Sequence, residues 1–170
     1  MVADPDRPEP APASPPGPAA LDPAAGRTSV YHHRVRYFEC DQQGVVFNAW
    51  YLAWFDEAFG TFLDDGGLGY TELVGGGTDV QLVHTEMDWR SPLRWGDDAD
   101  VEVRLLAVGR HSFTVGYRVC SGERVVLDAR TVYVTVGLDT GGPGTAGTVR
   151  GKVPVPAHLL AALGPPVADG

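Results

Sequence analysis

Residues 39–62 read ECDQQGVVFNAWYLAWFDEAFGTF. Six polar or small residues, Glu39 to Gly44, lead straight into a dense apolar and aromatic run. Within that run Tyr51, Phe55, Ala58 and Phe62 recur at helical spacing, with Leu52 and Phe59 beside them. The pattern predicts a helix from Asn48 to about Asp64, capped by Asn48 and ended by Gly66 and Gly67. Trp50, Trp54 and Phe47 widen the apolar surface beyond one stripe. A helix apolar nearly all round is buried on most sides, so a sheet wrapped around it is expected, with a partner subunit as a further cover. One acid, Asp41, stands at the mouth of this run. It is either a solvated turn residue or a carboxylate placed beside the free amides of a helix start.

The flanking sequence reads as strands. Residues 29–39 (SVYHHRVRYFE) alternate, with Tyr31, His33, Val35 and Tyr37 on one side and His32, Arg34, Arg36 and Phe38 on the other. His32 and His33 then point to opposite faces, so no shared metal ion is expected. Downstream, LVGGGTD lacks the lysine of a P-loop and the spacing of a dinucleotide fingerprint, and reads as a flexible connection. Four further strands follow at residues 79–89, 98–109, 111–120 and 123–136. Their connections, SPLRWGD, GR and SG, are short, which predicts an antiparallel meander. Residues 137–151 read as a Gly/Thr loop, and residues 152–164 as an extended proline segment entering a short terminal helix.

Composition bounds the rest. The 170 residues favour one domain. Eight prolines fall between Pro5 and Pro23, so residues 1–27 read as a disordered tail, residues 28–163 as the domain and residues 164–170 as a C-terminal tail. The formal net charge of -9 argues against nucleic acid and anionic membranes as partners. No apolar run reaches the ~20 residues of a membrane span, and the start lacks a signal-peptide layout, so a cytoplasmic protein is expected. Two separated cysteines, Cys40 and Cys120, make neither a disulfide framework nor a zinc site. Cys120 reads as a buried strand-end residue.

The block VRYFECDQQGVVFNAWYLAWFDEA, residues 35–58, resembles the hotdog fold, in its 4-hydroxybenzoyl-CoA thioesterase and YbgC-like acyl-CoA thioesterase branch. Asp41, Gly44, Val45, Val46, Phe47 and Tyr51 fall in register with that family's pattern. The segments MDWRSPLRWGDDADVEVRL and VRGKVPVPAHL extend the resemblance over about residues 29–163. It implies an α+β hotdog fold, an antiparallel sheet wrapped around a long central helix. It also implies a thioester hydrolase acting on an acyl-CoA, with coenzyme A entering as part of the substrate and no separate cofactor or metal.

In that resemblance Asp41 is the essential carboxylate, either nucleophile on the thioester carbonyl or base on a water. A backbone amide near Asn48, with Phe47 and Ala49 as neighbours, supplies the oxyanion site, and Gly44 lets the chain turn tightly. Val46, Phe47 and Tyr51, with His84, Thr85 and Glu86 from a strand, are implied at the substrate, and His84 or Glu86 is implied to approach Asp41, often across a dimer interface. Arg90, Arg94, Arg130, Arg150 and Lys152 are implied around the coenzyme A phosphates, with Arg90 and Arg94 as the leading pair. Relatives commonly carry Tyr or His where this chain has Asn48, which either lines the pocket or caps the helix. A homodimer or homotetramer is implied. An acyl carrier protein as substrate and a non-catalytic binding protein on the same fold remain the alternatives. A hotdog dehydratase ranks lower, because no Asp-x-Asn-x-x-His spacing follows Asp41.

Overall fold

In a computed structural model, residues 26–139 and 147–167 are described. Most of the expected N-terminal tail, the middle of the Gly/Thr loop and the last three residues lie outside the described residues. The element order is β1 (Thr28–Arg34), α1 (Ala49–Asp65), α2 (Tyr70–Gly75), β2 (Thr78–Trp89), β3 (Asp98–Val108), β4 (Ser112–Ser121), β5 (Arg124–Asp139), β6 (Thr148–Lys152) and α3 (Ala157–Leu163). The strands form one antiparallel sheet in the order β1-β3-β4-β5-β2, with β6 also paired to β5. Alternation drives this arrangement. In β3, Ala99, Val101, Val103 and Leu105 are buried while the residues between them are partly exposed.

The inner face of the sheet closes on α1. Tyr51, Trp54, Phe55, Ala58, Phe59, Phe62 and Leu63 form the buried stripe. Each large ring finds a strand. Phe55 stacks on Tyr117 of β4 at 4.3 Å, and Phe59 stacks on Tyr133 of β5 at 4.9 Å. Tyr51 meets Trp89 of β2 edge-on at 6.3 Å. Aromatic pairs of this kind contribute about 0.5–1.5 kcal/mol beyond their buried area. The Tyr117 and Tyr133 hydroxyls pair with each other at 2.9 Å, so these two buried polar atoms share one hydrogen bond. The architecture is the hotdog arrangement expected from the sequence.

Several expectations are corrected. The first strand stops at Arg34, and Tyr37–Glu39 forms a 3-10 turn rather than a continuation. The meander comprises β3, β4 and β5 only. β2 does not pair with β3 but crosses to the far side of β5, so SPLRWGD is a crossover and not a hairpin turn. Most of the expected glycine-rich connection, LVGGGTD, is regular structure: Leu73–Gly75 end the short helix α2, with Leu73 buried, and Thr78 and Asp79 open β2. Part of the Gly/Thr loop is strand: β5 runs to Asp139, and β6 pairs with it where β4 has ended. Helix α1 is not buried on most sides within one chain, because Leu52, Ala53, Asp56 and Glu57 are exposed. Cys120 is half-buried. Beyond α3, Val167 N–H donates to the Leu105 carbonyl at 2.9 Å, so the C-terminal segment reaches back onto β3.

Candidate active site

The chain between the 3-10 turn and α1 folds into a small clasp. Cys40 and Val46 face each other as an antiparallel bridge. Asp41 N–H donates to Val45 O at 2.8 Å, and Gly44 N–H donates to Asp41 O at 2.9 Å. Gly44 has φ +72, a left-handed conformation that a side chain disfavours. Two further bonds anchor the clasp: Phe47 N–H to Glu39 O at 2.9 Å and Val46 N–H to Leu93 O at 2.9 Å. Asp41 is half-buried at its tip. Its Oδ1 accepts the Gln43 N–H at 2.8 Å, an Asx-type contact that orients the carboxylate. Among the described residues Oδ2 has no protein partner.

Helix α1 starts immediately beyond the clasp. Asn48 occupies the N-cap position but is itself helical (φ -53, ψ -30), and its side chain makes no capping bond. The capping reading of Asn48 therefore fails, and its side chain is exposed. The Phe47 amide is spent on Glu39, and Trp50 N–H donates to Phe47 O at 3.0 Å. Among the described residues the Asn48 and Ala49 N–H groups have no backbone acceptor. Two open donors at the positive end of a helix can stabilise developing negative charge on an oxygen.

Asp41 opens into a cleft of about 560 Å³. Tyr37, Phe38 and Trp95 wall it, and Gly44 and Arg94 complete the side nearest Asp41. Tyr37 and Trp95 meet edge-on at 5.7 Å, and both are largely exposed. Arg94 Nη1 lies 3.5 Å from Gly44 O, which brings one cation to the clasp. The sequence does not mark these three aromatics as site residues. The alternation that made Tyr37 and Phe38 look like strand residues masked the turn that presents them.

A buried polar cluster gathers on Glu39, two residues before Asp41. Glu39 is 3% exposed. Its carboxylate accepts from Arg36 N–H at 2.6 Å, from His33 Nε2 at 2.9 and 3.1 Å and from Trp54 Nε1 at 3.1 Å. Burial pushes the Glu39 carboxyl up. The bonds from Arg36, His33 and Trp54 outweigh it and hold the group below the usual carboxylate range.

The remaining site expectations divide. Arg94 reaches the cleft, but Arg90 pairs with Asp128 of β5 at 2.8 Å on the outer face of the sheet, so the two arginines do not act as a pair. Glu86 and Arg130 line a groove of about 420 Å³ on that outer face, with Arg104 and Arg118. His84 shares the outer face with Glu86, two residues along β2, so neither approaches Asp41 in the same chain. Thr85 points inward and bonds Thr131 at 3.0 Å. Arg150 pairs with Asp139 at 3.2 Å. Lys152 stands opposite Val136, nine residues along β5 from the Leu127 end that faces Trp89. At about 3.3 Å per residue that is ~30 Å from the clasp end of the sheet. Val46 and Tyr51 are 6% and 2% exposed and belong to the core rather than the cleft wall. Burial raises the Tyr51 phenol to about 12, so it stays neutral. Phe47 is half-exposed beside the helix start. Among the described residues there is no group of three or more His, Cys, Asp or Glu side chains that could hold a metal ion. No helix among them is long and apolar enough to cross a membrane.

Residues 43–128, which run from the second half of the clasp through α1, β2, β3 and β4 into the start of β5, match the family model described as the thioesterase superfamily. The chain belongs to the thioesterase superfamily. A relative from Aquifex aeolicus is 32% identical over 107 residues, covering 63% of this chain and 84% of that protein. The 1,4-dihydroxy-2-naphthoyl-CoA hydrolase of Synechococcus elongatus is 27% identical over 127 residues, covering 74% and 87%. Among solved structures, a hypothetical protein from Aquifex aeolicus superposes with a TM-score of 0.70 at 29% identity, over 79% of this chain and 98% of that one. The thioesterase-superfamily match covers the Gly44 turn and the helix start and begins two residues after Asp41.

Proposed function

We propose that this protein hydrolyses the thioester of an aryl-CoA or acyl-CoA at the Asp41 clasp. One observation carries the reading: Asp41 presents an oriented carboxylate with a free oxygen, and the clasp that holds it runs directly into the two open amides of α1. The thioester carbonyl oxygen sits against the Asn48 and Ala49 N–H groups. Asp41 then either attacks the carbonyl carbon, expelling the coenzyme A thiolate and forming a mixed anhydride that a water then hydrolyses to restore the carboxylate, or removes a proton from a water that attacks the carbonyl and expels the thiolate directly. Both routes end in a free acid and coenzyme A. The helix amides stabilise the tetrahedral oxyanion in either case.

The aromatic walls of the cleft favour a flat acyl group, and the Synechococcus relative's name denotes an aryl-CoA substrate. Arg94 is the cation positioned to meet a phosphate from the same chain. Arg150 and Lys152 can contribute only from a second copy. The outer edge of β2 offers the place for one: a 12-residue strand paired on one side, with Leu82, Val83 and Trp89 46%, 54% and 51% exposed. Such an edge is a template for another strand, and a homodimer joined through it covers both.

Hydrolysis across a panel of aryl-CoA and short, medium and long acyl-CoA thioesters, run beside Asp41→Asn, tests the reading. The expected result is turnover of aryl thioesters that the variant loses by about 10²–10⁴-fold. A native protein inactive across the panel is the contrary result. Mass measurement of enzyme quenched during turnover separates the routes, because only nucleophilic attack leaves an acyl group on the chain.

A further inference from the structure

We propose that Glu39 is a positioning residue, whose buried carboxylate sets the placement of Asp41 against the open amides of α1. The inference rests on the thioester hydrolysis assigned to Asp41 above. Three elements meet at this one side chain. His33 comes from β1, the Arg36 N–H from the link that follows it, and Trp54 from the second turn of α1. The backbone carbonyl of the same residue accepts the Phe47 N–H, one residue before Asn48. Glu39 therefore holds the helix through its side chain at Trp54 and the residue leading into the helix through its main chain at Phe47. Asp41 follows two residues later, on the same leg of the clasp.

A carboxylate this deeply buried is a poor way to add stability, since an apolar side chain of similar volume does as well or better. What it supplies is geometry. Four bonds from three directions fix the 3-10 turn, and the rings around them are close: His33 lies 4.6 Å from Trp54, and Tyr51 lies 5.0 Å from Trp54 on its other side. The Trp54 bond is the link that runs directly from the acid-bearing turn to the helix. A reacting group displaced by about 1 Å can lose ~100-fold in rate. Loosening the link lets the carboxylate and the oxyanion donors drift relative to one another while the cleft walls stay in place.

The test compares Glu39→Gln and Trp54→Phe with the parent, each made also in the Asp41→Asn background. Trp54→Phe removes the indole N–H and keeps an aromatic ring in the core, so it carries the test if Glu39→Gln does not fold. Steady-state constants are measured with the best aryl-CoA of the panel, and folding is checked by circular dichroism and thermal melting. The expected result is a fall in kcat of about 10- to 100-fold with KM within about threefold. In the Asp41→Asn background the same changes cost less than about threefold, because the group they position is gone. A purely structural role instead lowers the melting temperature and leaves kcat per folded molecule intact, which overturns the proposal. Equal losses in both backgrounds overturn it too. If Asp41→Asn is itself fully active, the assignment of Asp41 fails first; if that variant is inactive while folded Trp54→Phe is normal, only the positioning role fails.

Discussion

The indole N–H of Trp54 donates to the Glu39 carboxylate at 3.1 Å, which ties the turn before Asp41 to the second turn of the central helix. On the proposal above, this bond helps to hold the segment that carries Asp41 in fixed relation to the helix whose first amides would bind the oxyanion. The bonds to Glu39, from the Arg36 N–H first and then from His33 and Trp54, also make stability depend on pH. The folded Glu39 carboxyl lies below its ordinary value of 4.5, so the folded state binds fewer protons than the unfolded state near that pH. The contribution is complete above about 4.5 and is lost as pH falls through the folded value. Asp128 behaves the same way: burial raises it, but Arg118 and Arg90 outweigh that and lower it. Urea midpoints from pH 7 to 3 should therefore fall for the native protein, and fall less for Glu39→Gln, which loses the Glu39 share and keeps that of Asp128.

Gly44→Ala should lower both stability and turnover. A Cβ at this position meets only Arg94 Nη1 at 3.7 Å, an ordinary contact, so space is not the obstacle. The obstacle is φ +72, which costs a side chain roughly 1–2 kcal/mol. Relief of that strain reshapes the turn that aims Asp41. Urea denaturation with parallel kinetics should show a lower midpoint and a reduced kcat.

The exposed aromatics make a different prediction. Trp95 is 67% exposed and Tyr37 is 76% exposed, so neither stabilises the core. Trp95→Ala should leave the melting temperature unchanged and raise KM for an aryl-CoA by about three- to tenfold, the loss of one ring contact. An aliphatic acyl-CoA should be affected less. A uniform effect on both substrate classes contradicts the assignment of this wall to the acyl ring.

The edge of β2 predicts assembly. Val83 lies at a register shift in that strand and is 54% exposed. Val83→Lys places a charge on the pairing edge and should shift the protein toward a single chain of 18.1 kDa by sedimentation at micromolar concentration. A native protein that already sediments as one chain contradicts the dimer.

The central helix, its glycine stop and the strand-rich remainder were legible because their periodicity is local. Ala49–Asp65 reproduces the predicted helix almost to the residue. The pairing of β2 was not legible, because alternation reports which face a residue shows and nothing about which strand lies beside it. The same limit hid the direction of the arginines: Arg90 and Arg94 are four residues apart in sequence, yet the crossover between them turns one to the outer face and the other to the cleft. Asp41 and Gly44 stood out as a turn before a helix. Glu39 did not, since an acid at the end of an alternating run reads as solvated until the turn at Tyr37–Glu39 folds it inward.

The most direct test of the account is the kcat of Asp41→Asn on an aryl-CoA thioester, measured on protein that melts at the native temperature. The substitution keeps an oxygen to accept the Gln43 N–H at Oδ1, so the clasp is expected to survive. Loss of about 10²–10⁴-fold in kcat is the predicted result. Turnover within a few-fold of the native enzyme contradicts the claim that this carboxylate carries the chemistry.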